Sequence, residues 1–174
     1  MTAEVARGAR LEYGSTIDAA KTPAAIAKGA ACTVSIATHG YANGDVVMLD
    51  QMVGMVELDN VVAKVSNSTS GTFDLEGIDS TNFGTFTGGR VRRISAWTTL
   101  SDATSVDFGS GAADSIETSR LISDVREQDA GLLSIPDVSV SMYSYHDSAQ
   151  LAIDAAAYAK TILPFRWTRK SGMR

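Results

Sequence analysis

At 174 residues, with 44% hydrophobic and 20% charged residues and a mean hydropathy near zero, the chain has a globular composition that excludes a disordered polymer. No apolar run approaches the roughly 20 residues that span a bilayer, and no basic segment followed by an apolar core opens the chain, so a cytoplasmic origin is expected. The net charge of -5 is uneven: the last fifteen residues hold Lys160, Arg166, Arg169, Lys170 and Arg174 and no acid, leaving 10 basic against 20 acidic residues, a net -10, in the rest. An acidic body repels DNA phosphates and excludes tight nucleic-acid binding.

Apolar residues mostly alternate between glycine- and asparagine-rich turns, a pattern of many short antiparallel strands. A first strand is predicted over 10–15. The alanine-rich passage 18–30, broken by Pro23 and Gly29, reads as a linker with one helical turn. From Cys32 to Thr38 the alternation is clean, which buries the lone cysteine in a strand. With one cysteine no intrachain disulfide forms, and His39 and His146 alone do not complete a zinc site. The pair Asn43 and Gly44 marks a tight turn in which both residues accept positive φ, and a strand starts at Val46. Further strands are predicted over 61–65 and 72–75, with a turn over 67–71, and Gly88 and Gly89 lead into a strand over 90–97. Residues 31–95 therefore read as a small barrel or curled sheet of about five strands.

Beyond that segment, Val106 and Phe108 alternate with Ser105 and Asp107, a turn follows at 109–113, and 115–121 is predicted to run back as the partner strand. The stretch 122–136, with Asp124, Arg126, Glu127 and Asp129, has no clear period and reads as a long loop of the kind that carries function. Val138, Val140 and Met142 then share one face of a strand, the dry one, while Ser139, Ser141, Tyr143 and Tyr145 share a polar-aromatic face. Asp147 is the predicted N-cap of a helix over 148–160, with Gln150 at the reciprocal position. That helix carries Leu151, Ala155 and Tyr158 on one stripe and Ala149, Ala152, Ile153 and Ala156 on another, so most of its circumference is expected to be covered against a sheet. Pro164 stops it, and 165–169 forms another strand.

Candidate sites weigh towards structural roles. His146, Asp147 and Ser148 are adjacent in sequence, which does not make them face one another, and Asp147 already serves as a cap. His39 precedes a glycine turn. Asp45, Asp50, Asp59, Asp74 and Asp79 lie on separate turns without a calcium-loop pattern. Arg90, Arg92 and Arg93 form a basic cluster best explained by neighbouring acids or an intersubunit ion pair. No phosphate loop, dinucleotide motif, nucleophile elbow or paired metal ligands occur, so no catalytic, cofactor or metal residue is assigned.

Two resemblances arise. The ordered set Thr38 to Gly40, Asn43 to Asp45, Gly54 and Met55, Leu58 with Asn60, Thr72 to Leu75 and Gly88 with Gly89 resembles the small β-barrel module of many phage tail proteins. It departs from that pattern at Asp59 and Asn60, where the module commonly has asparagine and glycine. The run from Trp97 through Asp147, Ala149, Gln150 and Leu151 to Phe165 and Arg166 is similar to the tail tube proteins of siphophages.

Together the resemblances imply a mainly β fold: a tail-tube β-sandwich of residues 1–30 and 96–174 with one flanking helix, and an inserted barrel of residues 31–95. They imply a virion structural protein, not an enzyme, that assembles in the bacterial cytoplasm as hexameric rings stacked into a tube for DNA ejection. Asp124, Arg126, Glu127 and Asp129 would form the inter-ring loop, and Ser139, Ser141, Tyr143 and Tyr145 a lumen or interface strand. The implied partners are further copies, the tail-tip initiator, tape measure and terminator proteins, with DNA as transient cargo, no cofactor and no membrane insertion. The family normally continues past the strand of Phe165 and Arg166, so either more chain follows Arg174 or a neighbouring subunit completes that sheet edge. The rival reading is a virion-surface barrel that binds a host glycan or protein through 31–95; a contractile-injection or gene-transfer tube would share the tube mechanism.

Overall fold

A computed structural model describes residues 9–107, 113–117, 128–133, 137–144 and 147–168. Among these the fold is mainly β with one α-helix: β1 (Arg10–Ile17), β2 (Ala25–Ala27), β3 (Cys32–Ser35), β4 (Val46–Val53), β5 (Val62–Ser66), β6 (Thr72–Leu75), β7 (Gly88–Thr99), β8 (Ala103–Asp107), β9 (Ala113–Glu117), β10 (Gln128–Leu133), β11 (Ser139–Met142), α1 (Ser148–Tyr158) and β12 (Phe165–Thr168). The chain divides into two compact units, one of residues 6–100 and 146–174 and one of residues 1–5 and 101–145.

The first unit is built on an antiparallel sheet in the order β12-β1-β7-β4-β5-β6-β3-β2. Strict alternation places Cys32 and Val34 of β3, Ala63 and Val65 of β5, and Phe73 and Leu75 of β6 on the buried face. They meet Ile26, Val47, Leu49, Met55, Leu58 and Val91 in one apolar cluster. Because members come from both ends of the β7-to-β2 series, the sheet curls around its own core.

The passage 18–30 is not a linker with a helical turn. It contains β2, and Lys21 exchanges two backbone hydrogen bonds of 2.8 Å with Val91 of β7. Asp18 N–H also donates to the Arg93 carbonyl at 2.8 Å. This segment thus runs from β7 to β3 and closes the curled sheet into a barrel, which satisfies backbone groups that a free strand edge would leave open. Its alanines hid the strand, because their helix propensity is overridden by ladder pairing.

The turn at 42–45 also differs from the sequence expectation. Gly44 takes φ +91° while Asn43 stays outside the left-handed region, and Asp45 N–H donates to the Ala42 carbonyl at 3.1 Å. A single left-handed residue suffices because β3 and β4 are not hairpin partners: β3 pairs with β2 and β6, β4 with β5 and β7. At Asn60, where the barrel module commonly has glycine, φ is +62°. Asparagine keeps the backbone conformation because its short amide tolerates that region better than most side chains.

β7 is twelve residues long and serves two partners, β4 with its first half and β1 with its second. β12 then adds to the outer side of β1 in the register Glu12↔Arg166. Gly14 makes this addition possible: its N–H donates to the Pro164 carbonyl at 2.9 Å, and a Cβ there would lie 2.7 Å from the proline Cγ.

In the second unit two ribbons are seen, β8 with β11 and β9 with β10. The expected pairing of 105–108 with 115–121 is therefore replaced by β8 with β11, a partner more than thirty residues away. The predicted loop 122–136 contains a strand over 128–133, so Asp129 sits in β10 opposite Ile116, while Asp124, Arg126 and Glu127 lie outside the described residues. Local sequence missed β10 because its glycine and acid break the alternation.

α1 is capped as expected: the Asp147 carboxylate accepts the Gln150 N–H at 2.8 Å. The helix is not covered as expected. Ala149 is its one buried residue, whereas Leu151 is 53% and Tyr158 90% exposed.

Candidate assembly surfaces

The arginines of β7 are matched within the chain. Asp50 on β4 lies opposite Arg90 in the ladder; its Oδ2 is 3.6 Å from Arg90 and is hydrogen bonded by Arg92. Asp50 is a strand residue with a largely buried side chain, not a solvated turn acid. Arg93 faces the other way and bridges Asp18 at 2.8 Å and Asp45 at 3.4 Å. Hydrogen bonds from Ser95 and Arg93 hold the Asp18 carboxyl below its ordinary range, and Asp18 in turn raises the Arg93 guanidinium. With each guanidinium so engaged, the cluster pins β4 and the 18–21 segment to β7, and the acid-balancing reading is the one the geometry supports.

The remaining barrel candidates are structural. His39 is buried, its Nδ1 accepts the Tyr41 N–H at 3.0 Å, and its ring packs against Tyr41 and Phe73 with centroids 5.2 and 5.0 Å away. Burial raises the Tyr41 phenol and the Cys32 thiol above their usual values, so neither is a ready nucleophile. Asp45, Asp59 and Asp79 accept the backbone N–H groups of Ala42, Met52 and Thr81, while Asp74 accepts from Thr33 and Asn67. Among the described residues no three acids, histidines or cysteines converge on a metal position, and no helix is long and apolar enough to cross a membrane. His146 lies outside the described residues, and the Asp147 carboxylate is turned to its helix.

Sequence reasoning did not foresee what Arg166 does. Its guanidinium donates twice to Glu12 Oε2, at 2.9 and 2.7 Å, and stacks 4.4 Å from the centre of the Trp97 ring. An arginine following phenylalanine on β12 thus ties that strand to β1 and β7 together. The signal was available in the sequence as Trp97, Glu12 and Arg166, but their meeting requires the β12-β1-β7 order.

What the described surface leaves uncovered is apolar and strand-rich. On the β8–β11 ribbon the expected dry side is open: Val138 is 58% and Met142 37% exposed, and Val140 is half-buried. Ser139, Ser141 and Tyr143 are exposed on or beside the same strand, and Tyr145 lies outside the described residues. β12, with half-exposed Phe165, is an edge strand of the large sheet.

Open strand edges and uncovered apolar faces are the surface features of a subunit that associates with further chains. Comparison with known families agrees. The profile of the family described as "Phage tail tube protein, TTP" matches residues 53–159, and the chain belongs to that family. Its members are structural components of the virion tail that self-assemble into a tube. No curated protein matches the chain.

Proposed function

We infer that this protein polymerises as hexameric rings that stack into the tail tube and that the phage genome passes through the resulting channel during ejection. The observation that carries this reading is the β8–β11 ribbon. A two-stranded ribbon with an exposed apolar face is at best marginally stable alone, and strands contributed by neighbouring copies would both extend and cover it. Ser139, Ser141, Tyr143 and Tyr145 would then line the lumen or the subunit interface.

In the same reading residues 31–95, closed by the 18–27 segment, form an inserted barrel, and the ring-building sandwich draws on residues 1–17 and 96–174. Asp124, Arg126, Glu127 and Asp129 would make the contact between stacked rings, Asp129 from its position in β10. The tail-tip initiator, tape measure and terminator proteins bound the tube in the host cytoplasm. The net acidic body would line the channel with charge that repels DNA, so passage is limited by pressure and friction rather than by release from binding sites.

Negative-stain electron microscopy of the purified chain over a concentration series tests the reading. Stacked rings or hollow tubes are expected, and a variant with Asp124, Glu127 and Asp129 changed to serine should form rings that no longer stack. Wild-type protein that stays monomeric while binding a host glycan through the barrel would refute the tube in favour of a binding module.

A further inference from the structure

The helix α1 is apolar on two opposite sides. At 100° per residue, Ala149, Ile153 and Ala156 form one stripe, buried or half-buried along its length; Leu151, Ala155 and Tyr158 lie about 180° away, and all three are exposed. The outer stripe continues past the helix end in Ile162 and Phe165, each about half exposed. An eleven-residue helix is below the length at which helices persist in water without packing, so one half-covered face is a weak support for it.

We propose that the outer stripe of α1 is the docking surface for a second copy of this chain, so that the helix is clamped between two subunits and gains its full order only in the assembly. The inference rests on the self-assembly reading and names the surface involved. Three observations select a copy of the same chain as the occupant. The family self-assembles into a tube, so further copies of this chain are partners that its surface has to meet. The exposed Lys160 lies directly after the helix at the end of the stripe, while residues 1–159 carry a net -10. A head-to-tail contact between the two is attractive, and contacts of that kind close into rings. Finally, Ala155 at the centre of the stripe lets a neighbouring backbone approach closely, while Leu151 and Tyr158 supply the apolar anchors at either end.

The test uses the full chain and two single variants, Leu151→Asp and Tyr158→Glu. Both side chains are exposed in the isolated subunit, so monomer circular dichroism and thermal midpoint should match wild type. The concentration at which rings appear by sedimentation velocity should rise at least tenfold. A photo-crosslinking residue at position 158 should yield covalent dimers on irradiation of assembled protein, and amide exchange over 148–158 should slow at least tenfold on assembly. Wild type and both variants assembling at the same concentration would overturn the inference and leave the tube reading standing, as would crosslinks confined within one chain. Wild-type protein that assembles at no concentration would overturn both.

Discussion

Replacing Asp50 by asparagine isolates what the β4–β7 charge pairing contributes, because the change keeps shape and removes only the charge. Asp50 is 7% exposed and faces two guanidiniums, Arg90 at 3.6 Å and Arg92 in direct hydrogen bond. At an effective dielectric of about 20, one contact at that distance is a gross attraction of roughly 5 kcal/mol. The side chains of Arg90 and Arg92 are 41% and 30% exposed, so solvent screens much of this and desolvation of the carboxylate offsets more. Removing one partner of a buried pair costs about 3–5 kcal/mol; with the arginines this accessible, about 2 kcal/mol is expected for Asp50→Asn. Urea unfolding followed by tryptophan fluorescence should show the midpoint falling by about 1 M, for a slope near 2 kcal/mol/M. A double-mutant cycle with Arg92→Met should recover a coupling of at least about 1 kcal/mol. A loss below about 0.5 kcal/mol with no coupling would refute the argument that this pairing holds the barrel seam together.

Other outcomes follow from single positions. Asn60→Gly should leave stability within about 0.5 kcal/mol of wild type, whereas Asn60→Ala should lose about 1 kcal/mol by thermal unfolding, since φ +62° penalises a plain Cβ. Asp147→Ala removes the acceptor for the Gln150 N–H and should cost the helix about 1 kcal/mol; because α1 is mostly exposed, the loss should appear as faster amide exchange over 148–152 with little change in global melting. The Asp74 carboxyl is held below its ordinary range by Thr33 and then Asn67. Its folded-state value lies beneath the unfolded one, so its contribution is complete above about pH 4 and is lost as pH falls through the lowered value. Asp74→Asn should therefore flatten the acid limb of the stability–pH curve, and an unchanged limb would contradict this origin.

The barrel strands were legible because their code is local. Cys32, Val34, Ala63, Val65, Phe73 and Leu75 alternate with polar neighbours, and a period of two fixes both strand and buried face. The cap at Asp147 and the end of the helix before Pro164 were readable for the same reason. β2 and β10 were not, since one is three residues in an alanine-rich passage and the other contains Gly131. Each is a strand only because a partner lies beside it. The burial of α1 was misjudged because composition records how much apolar surface a helix has, not whether its own chain covers it.

Mainly β character, the positions of most strands, the capped helix and the family were all legible in the chain's residue order. These rest on short-range periodicity, turn chemistry and residue order. Closure of the barrel by residues 18–27 against β7, the pairing of β8 with β11, the seat of Asp50 between two arginines and the meeting of Arg166 with Glu12 and Trp97 emerge from the folded chain. Those are contacts between residues tens of positions apart. Their partners are chosen by strand order and sheet closure, which no local window of the chain encodes.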